Sequence, residues 1–118
     1  MLNNTYTLTD GVTSLVYTKL FPDANRSLFA VAGLAANAAK TLSVQHQTAK
    51  KSSRTLVSLD NVCVDPSSST GATDTNRVYM VIQTPDFVTP AESALLVTRF
   101  VDLLAEVGFV DAVINHEV

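Results

Sequence analysis

The spacing of apolar residues changes at Thr89, and that change constrains the fold more than any other feature. Up to Thr84, apolar and polar residues alternate in short runs; from Thr89-Pro90-Ala91-Glu92 onward, apolar residues recur at helical spacing. Alternation marks strands with one covered face, whereas three-to-four spacing marks a helix stripe. Residues 89–92 read as a capping box with proline at the first helical position, which predicts a helix start. The helix is expected to run to about Val107, with Gly108 placed to end it. Leu96, Phe100, Leu103 and Val107 form one stripe, and Leu95, Val97, Val101 and Leu104 widen it. So broad an apolar arc does not suit a helix lying on one sheet with its back in water, and it asks for two partners. Phe109 to Asn115 reads as a second short helix.

Upstream, Thr5–Thr9 and Val12–Phe21 flank the hairpin signal Asp10-Gly11. Pro22-Asp23-Ala24-Asn25 is a turn, and Ser27–Val31 a short strand. Gly33–Ala39 is alanine-rich but too brief for more than a loop or a single turn. In Thr41–Gln47, Leu42 and Val44 point one way and Thr41, Ser43, Gln45 and Gln47 the other. In Thr55–Val64, Val57 and Leu59 oppose Ser58 and Asp60, with Arg54 on the polar side. Arg77–Thr84 is the last strand. Asp65 to Asn76 (DPSSSTGATDTN) carries no apolar anchor, so an exposed loop is expected there. The whole is an α+β reading: an antiparallel sheet region over about 4–85, then a helical region over about 90–115, in one domain spanning 1–118.

Charge and composition narrow the function. The net charge of −3 argues against a simple nucleic-acid binder, but it hides an asymmetry. Residues 1–85 hold seven Lys/Arg against five Asp/Glu, and residues 86–118 one against six. A fold that separates these segments has a cationic and an anionic side. Only 16% of residues are charged and 47% are apolar, which suggests surface that oligomerisation covers. The single cysteine, Cys63, excludes an internal disulfide and a cysteine metal cluster; its parity with Val57 and Leu59 predicts a buried thiol. His46, on the parity of Leu42 and Val44, is expected to be buried and hydrogen-bonded. No stretch has the length of a membrane span, and Met1–Thr5 lacks the start of a signal peptide, so a cytoplasmic chain is expected. No nucleophile–base pair, paired-carboxylate site or phosphate-binding glycine loop stands out. The expectation is no enzyme, no cofactor, no metal and no small-molecule substrate.

Lys40, Lys50, Lys51 and Arg54 place half of the basic residues within fifteen positions, uninterrupted by acid. They suit RNA phosphates; they equally suit a solvated hairpin tip that guards an edge. Tyr79, on the parity of Arg77, Val81 and Gln83, is either a stacking platform for an unpaired base or an ordinary cross-strand tyrosine.

Three segments carry a resemblance. They are SLFAVAGLAANAAKTLSVQHQT from Ser27, the hairpin QHQTAKKSSRTLVSLD, and NRVYMVIQTPDFVTPAESALLVTRFVDLLAEVGFVDA from Asn76. In order and spacing the chain resembles the single-stranded RNA bacteriophage (levivirus-type) coat proteins. The resemblance implies an N-terminal β-hairpin and a five-stranded antiparallel sheet followed by two α-helices. Two subunits would interlock into a ten-stranded sheet, each laying its helices over the other's sheet. Dimers would build an icosahedral shell with genomic RNA inside, assembled in the bacterial host cytoplasm. An RNA hairpin bound by the dimer would repress translation. The implied RNA-binding residues are Thr41, Ser43, Gln45, Lys50, Lys51, Arg54, Ser58 and Tyr79, although Val81 stands where the family often has Asn or Asp. The broad helix arc supplies the dimer contacts Leu96, Phe100, Leu103 and Leu104. The loop Asp65–Asn76, with Gly71 as its pivot, would meet neighbouring dimers. A small dimeric sheet-plus-helix binding module without shell assembly is the competing reading.

Overall fold

The computed structural model describes residues 2–22 and 25–117, with Phe21 and Pro22 described by backbone alone. The turn expected at 22–25 has Asp23 and Ala24 outside the described residues. Six strands form: β1 (Thr5–Thr9), β2 (Ser14–Pro22), β3 (Arg26–Val31), β4 (Lys40–Thr48), β5 (Ser52–Val64) and β6 (Thr73–Pro85). They pair antiparallel in sequence order, β1-β2-β3-β4-β5-β6, in one sheet. A separate hairpin beside a five-stranded sheet would need a seventh strand, so that expectation is corrected. β2 stays hydrogen-bonded to β3 through a register shift between Lys19 and Phe21. A bulge of this kind bends a strand without breaking the ladder, so the hairpin is the curled edge of the sheet itself. The alanine-rich stretch makes one 3₁₀ turn at Ala36–Ala38, as expected.

Residues opposite one another in an antiparallel ladder share a face. Tyr17, Phe29 and Leu42 are buried on one face, with Leu2, Tyr6, Leu15, Val31 and Val57 packed against them. Tyr6 meets Phe29 edge-on at 5.4 Å between ring centroids, and Lys19 Nζ lies 5.7 Å from the same ring. One row of this face runs Phe29–Leu42–Leu59–Val78 across β3 to β6. Along it exposure climbs from 0% to 8%, 38% and 71%. The curled hairpin therefore covers only the β3–β4 end, and the apolar row continues uncovered to the β6 edge. His46 and Cys63 keep the predicted parity but lie outside the patch that the hairpin covers, and they are exposed, not buried. His46 does hydrogen-bond, through Nδ1 to Thr55 Oγ1 at 3.0 Å.

The loop is shorter than its composition suggests. Val64 pairs with Thr73 and Asn61 with Asn76, so Asn76 belongs to β6 and the connection is 65–72. Asp65 Oδ1 accepts from Ser67 N (2.9 Å) and Ser67 Oγ (2.7 Å), while Ser68 Oγ accepts from Ala72 N (3.1 Å). The loop is thus held by its own hydroxyls, without an apolar anchor. Gly71 has φ +74, a left-handed conformation that only glycine adopts at little cost.

Helix α1 spans Pro90–Leu104 and α2 spans Phe109–Ile114. The capping box forms: Thr89 Oγ1 accepts from Glu92 N, and Thr89 N donates to Glu92 Oε2, both at 3.3 Å. The end at Val107 is corrected. Ala105 closes α1 by donating to Val101 O (3.1 Å) and Asp102 O (3.2 Å). Gly108, at φ +81, instead caps the start of α2. Neither helix has a buried residue. Thr84 Oγ1 and Ser93 Oγ, 2.9 Å apart, tie the first turns of α1 to β6. Beyond that tie the helix leans past the sheet edge and leaves an apolar groove of about 620 Å³, lined by Met80, Ile82, Leu96, Val97, Phe100 and Leu103 among others.

Candidate nucleic-acid interface

The face opposite the core is built from rows of polar side chains that cross β4, β5 and β6. Thr41, Asp60 and Arg77 form one row, and Ser43, Ser58 and Tyr79 the next. Gln45, Leu56 and Val81 follow, then Gln47, Arg54 and Gln83. β3 extends the first three rows with Ala30, Leu28 and Arg26 in turn. The ladder therefore gathers Thr41, Ser43, Gln45, Arg54, Ser58 and Tyr79 on a single surface. Their alternation in sequence is what puts them there, because a one-residue slip would send each to the other face.

Lys50 and Lys51 lie in the exposed β4–β5 turn at the end of this surface. Ala49 N donates to Ser52 O and Asp86 N to Lys51 O, both at 2.9 Å, which holds the turn against the end of β6. The four-residue basic cluster does not survive folding. Lys40 shares the face of Leu42 and sits at the far end of β4, about 30 Å of strand from Lys50.

Individual side chains differ in what they offer. Tyr79 is 62% exposed on the edge strand, so one side of its ring is open for stacking. Thr41, Ser43 and Gln45 are half-buried. Ser58 is only 6% exposed, and its hydroxyl donates to Asp60 Oδ1 at 2.6 Å. That bond commits Ser58 to its neighbour and removes it from direct base reading. Asp60 also accepts from Arg77, Nε to Oδ1 at 2.9 Å and Nη2 to Oδ2 at 3.2 Å. Burial pushes the Asp60 carboxyl up, but the bonds from Arg77 and Ser58 prevail and hold it below the usual carboxylate range. Asp60 in turn raises Arg77. Gln45, Gln47, Arg54 and Leu56 line a shallow depression of about 130 Å³.

Arg26 is the residue that sequence reading misses. It stands opposite Gln45 and adds a third arginine to this surface, with Arg54 and Arg77. The run Ser27–Val31 shows no alternation from which its parity could be read. Of the helix residues, Leu96, Phe100 and Leu103 line the β6–α1 groove, and Leu104 lies beyond it. All four are exposed in the single chain. Among the described residues, no cluster of His, Cys, Asp or Glu has the makings of a metal site, and no helix is long and apolar enough to cross a membrane.

No family model and no curated protein matches the sequence. Solved structures do match. The bacteriophage EMS014 coat protein superimposes with a TM-score of 0.80 at 16% identity, over 99% of this chain and 98% of that one. This is the levivirus-type coat-protein fold. The virus-like particle of Beihai levi-like virus 21 agrees, with a TM-score of 0.79 at 13% identity over 97% and 94% of the two chains. So does the bacteriophage GA protein capsid, with 0.71 at 7% identity over 98% and 95%. The coat-protein fold is thus kept here by side chains almost entirely different from those of its relatives.

Proposed function

We propose that this chain is the shell-forming coat protein of a single-stranded RNA phage, working as an interlocked dimer that packs RNA against its polar face. The observation that carries the reading is the surplus of surface. A folded monomer of this mass exposes about 6,200 Å², whereas this chain exposes 9188 Å². Its radius of gyration is 16.8 Å, against about 13.5 Å for a compact chain of its length. The excess of about 3,000 Å² per chain, or about 6,000 Å² over two chains, matches the upper end of obligate interfaces. It lies where the Phe29–Val78 row runs out of cover, along the free β6 edge and on the stripe of Leu96, Phe100, Leu103 and Leu104. Pairing β6 with a second β6 would give a twelve-stranded sheet, one strand per chain more than the implied ten. Helix α1 would then cover the partner's bare apolar row.

Shell assembly is supported by what the structural relatives are, virus-like particles and capsids, and RNA packaging by the polar face with its arginines and the lysines at its end. The polar rows would face the genome and the acidic helices the outside. Repression through a hairpin would use Tyr79 and the pockets beside Thr41, Ser43 and Gln45. Assembly would take place in the host cytoplasm, as a single-domain subunit. The test is expression in bacteria, followed by size-exclusion chromatography and electron microscopy. The expected result is void-volume particles whose absorbance at 260 nm reveals nucleic acid. A small soluble dimer free of nucleic acid would favour a binding module and overturn the shell.

A further inference from the structure

The polar face carries a built arrangement that RNA packaging does not require. Buried Ser58 fixes Asp60, and Asp60 holds the Arg77 guanidinium side-on through Nε and Nη2. An arginine has five N–H donors in a rigid fork. Two are used here, and two of the remaining three, on Nη1 and Nη2, point in parallel along the outer edge. The Arg77 side chain is 55% exposed, against 20% for Asp60. Arg77 and Tyr79 lie two residues apart on one face of β6, so a base stacked on Tyr79 is within reach of that edge.

We propose that the Asp60–Arg77 pair reads the edge of a guanine base beside Tyr79 and does not neutralise a phosphate. The inference rests on the reading that this face meets RNA. The pair is neutral as a unit, and a phosphate on the outer edge of Arg77 would also face the Asp60 carboxylate. A neutral base suffers no such repulsion. Guanine O6 and N7 are the adjacent acceptors that an arginine fork meets most often, and a purine offers the tyrosine a broad ring. Orientation by Asp60 means that little side-chain freedom is lost on binding.

The test uses the full chain stripped of nucleic acid and three labelled 12-mers: oligouridylate, and the same with one central guanosine or one central cytidine. Binding is read by anisotropy over a range of salt. The parent should favour the guanosine oligomer about tenfold, the value of one good bidentate contact. The double variant Asp60→Asn, Arg77→Gln replaces a neutral pair with a neutral pair. It should lose that preference and keep the parental salt slope. Asp60→Asn alone releases Arg77 to phosphate, so the slope should steepen by about 0.7 while the preference falls. Should that variant misfold, Ser58→Ala loosens Asp60 with both charges kept, and it should weaken the preference alone. A double variant that keeps the preference, or flattens the salt slope, overturns the proposal. So does a parent that binds all three equally or favours cytidine. A parent that binds none of them defeats the RNA reading as well.

Discussion

Asp60 is the only carboxylate in the four polar rows, and its setting makes a prediction about pH. Its carboxyl sits below the ordinary value of 3.8 because the bonds from Arg77 and Ser58 outweigh the cost of burial. Asp10 shifts the same way through the backbone N–H groups of Thr13 and Val12, and Asp65 through Ser67. A carboxyl held low in the folded state stabilises fully above its unfolded pKa, and the gain is lost as pH falls through the folded value. Denaturant midpoints should therefore be level from neutral pH to about 5 and decline below about 4. Asp60→Asn should show a shallower decline; a decline identical to the parent's would mean that the pair adds no stability. Tyr79 makes a second prediction. Loss of a stacking ring costs about 1–3 kcal/mol per base, so Tyr79→Ala should weaken a bound single strand by about tenfold or more without dissociating dimers. Lys50 and Lys51 changed together to Ala should flatten the salt dependence instead, by about 0.7 for each phosphate no longer neutralised. Parental binding by all these variants would remove the RNA assignment from this face.

At the scale of elements, the informative differences lie at the ends. β4 and β5 are legible because their alternation is clean, and the rows built from Thr41, Ser43, Ser58 and Tyr79 follow from it directly. Thr73–Asn76 reads as loop because it has no apolar residue. It is strand because the ladder from Asn61–Val64 continues past the edge of the core, where neither face needs apolar cover. The exposure of Cys63 has a related cause: parity gives the face, and only the third dimension shows whether anything lies over it. The trimmed loop of 65–72 sharpens the test of its role. Val64 and Thr73 are directly paired, so a two-residue Asn-Gly turn can join them with the register intact. That replacement should leave secondary structure and dimer stability unchanged, since the eight residues bond mainly to one another. Shell formation should be lost or give particles of a different diameter, because the loop and its Gly71 pivot would no longer adapt to neighbouring dimers. Particles of parental size from the shortened chain would exclude the loop from assembly.

The whole molecule carries the sharpest prediction, because two descriptions of it disagree about one residue. In the single chain Phe100 is 44% exposed and lines the β6–α1 groove. If the chain acts alone, aspartate there has water beside it and costs little, as at most half-open surface positions. If the groove and stripe close on a second copy, the same aspartate becomes a buried charge. Arg99, the single cation of residues 86–118, also lines this groove, but a buried ion pair returns less than the loss of hydration costs. Burying a charge costs several kcal/mol, comparable to the whole stability of a small domain. The excess surface supports the second description, since the chain's own core, centred on Tyr17, Phe29 and Leu42, is small for so open a shape. Phe100→Asp is therefore expected to give insoluble or unfolded protein. Phe100→Leu, which keeps an apolar side chain at the position, should still yield dimers of reduced stability. Sedimentation and circular dichroism on the two variants separate the cases. A folded, soluble Phe100→Asp monomer would show that the helix stripe needs no partner, and the interlocked dimer would have to be given up.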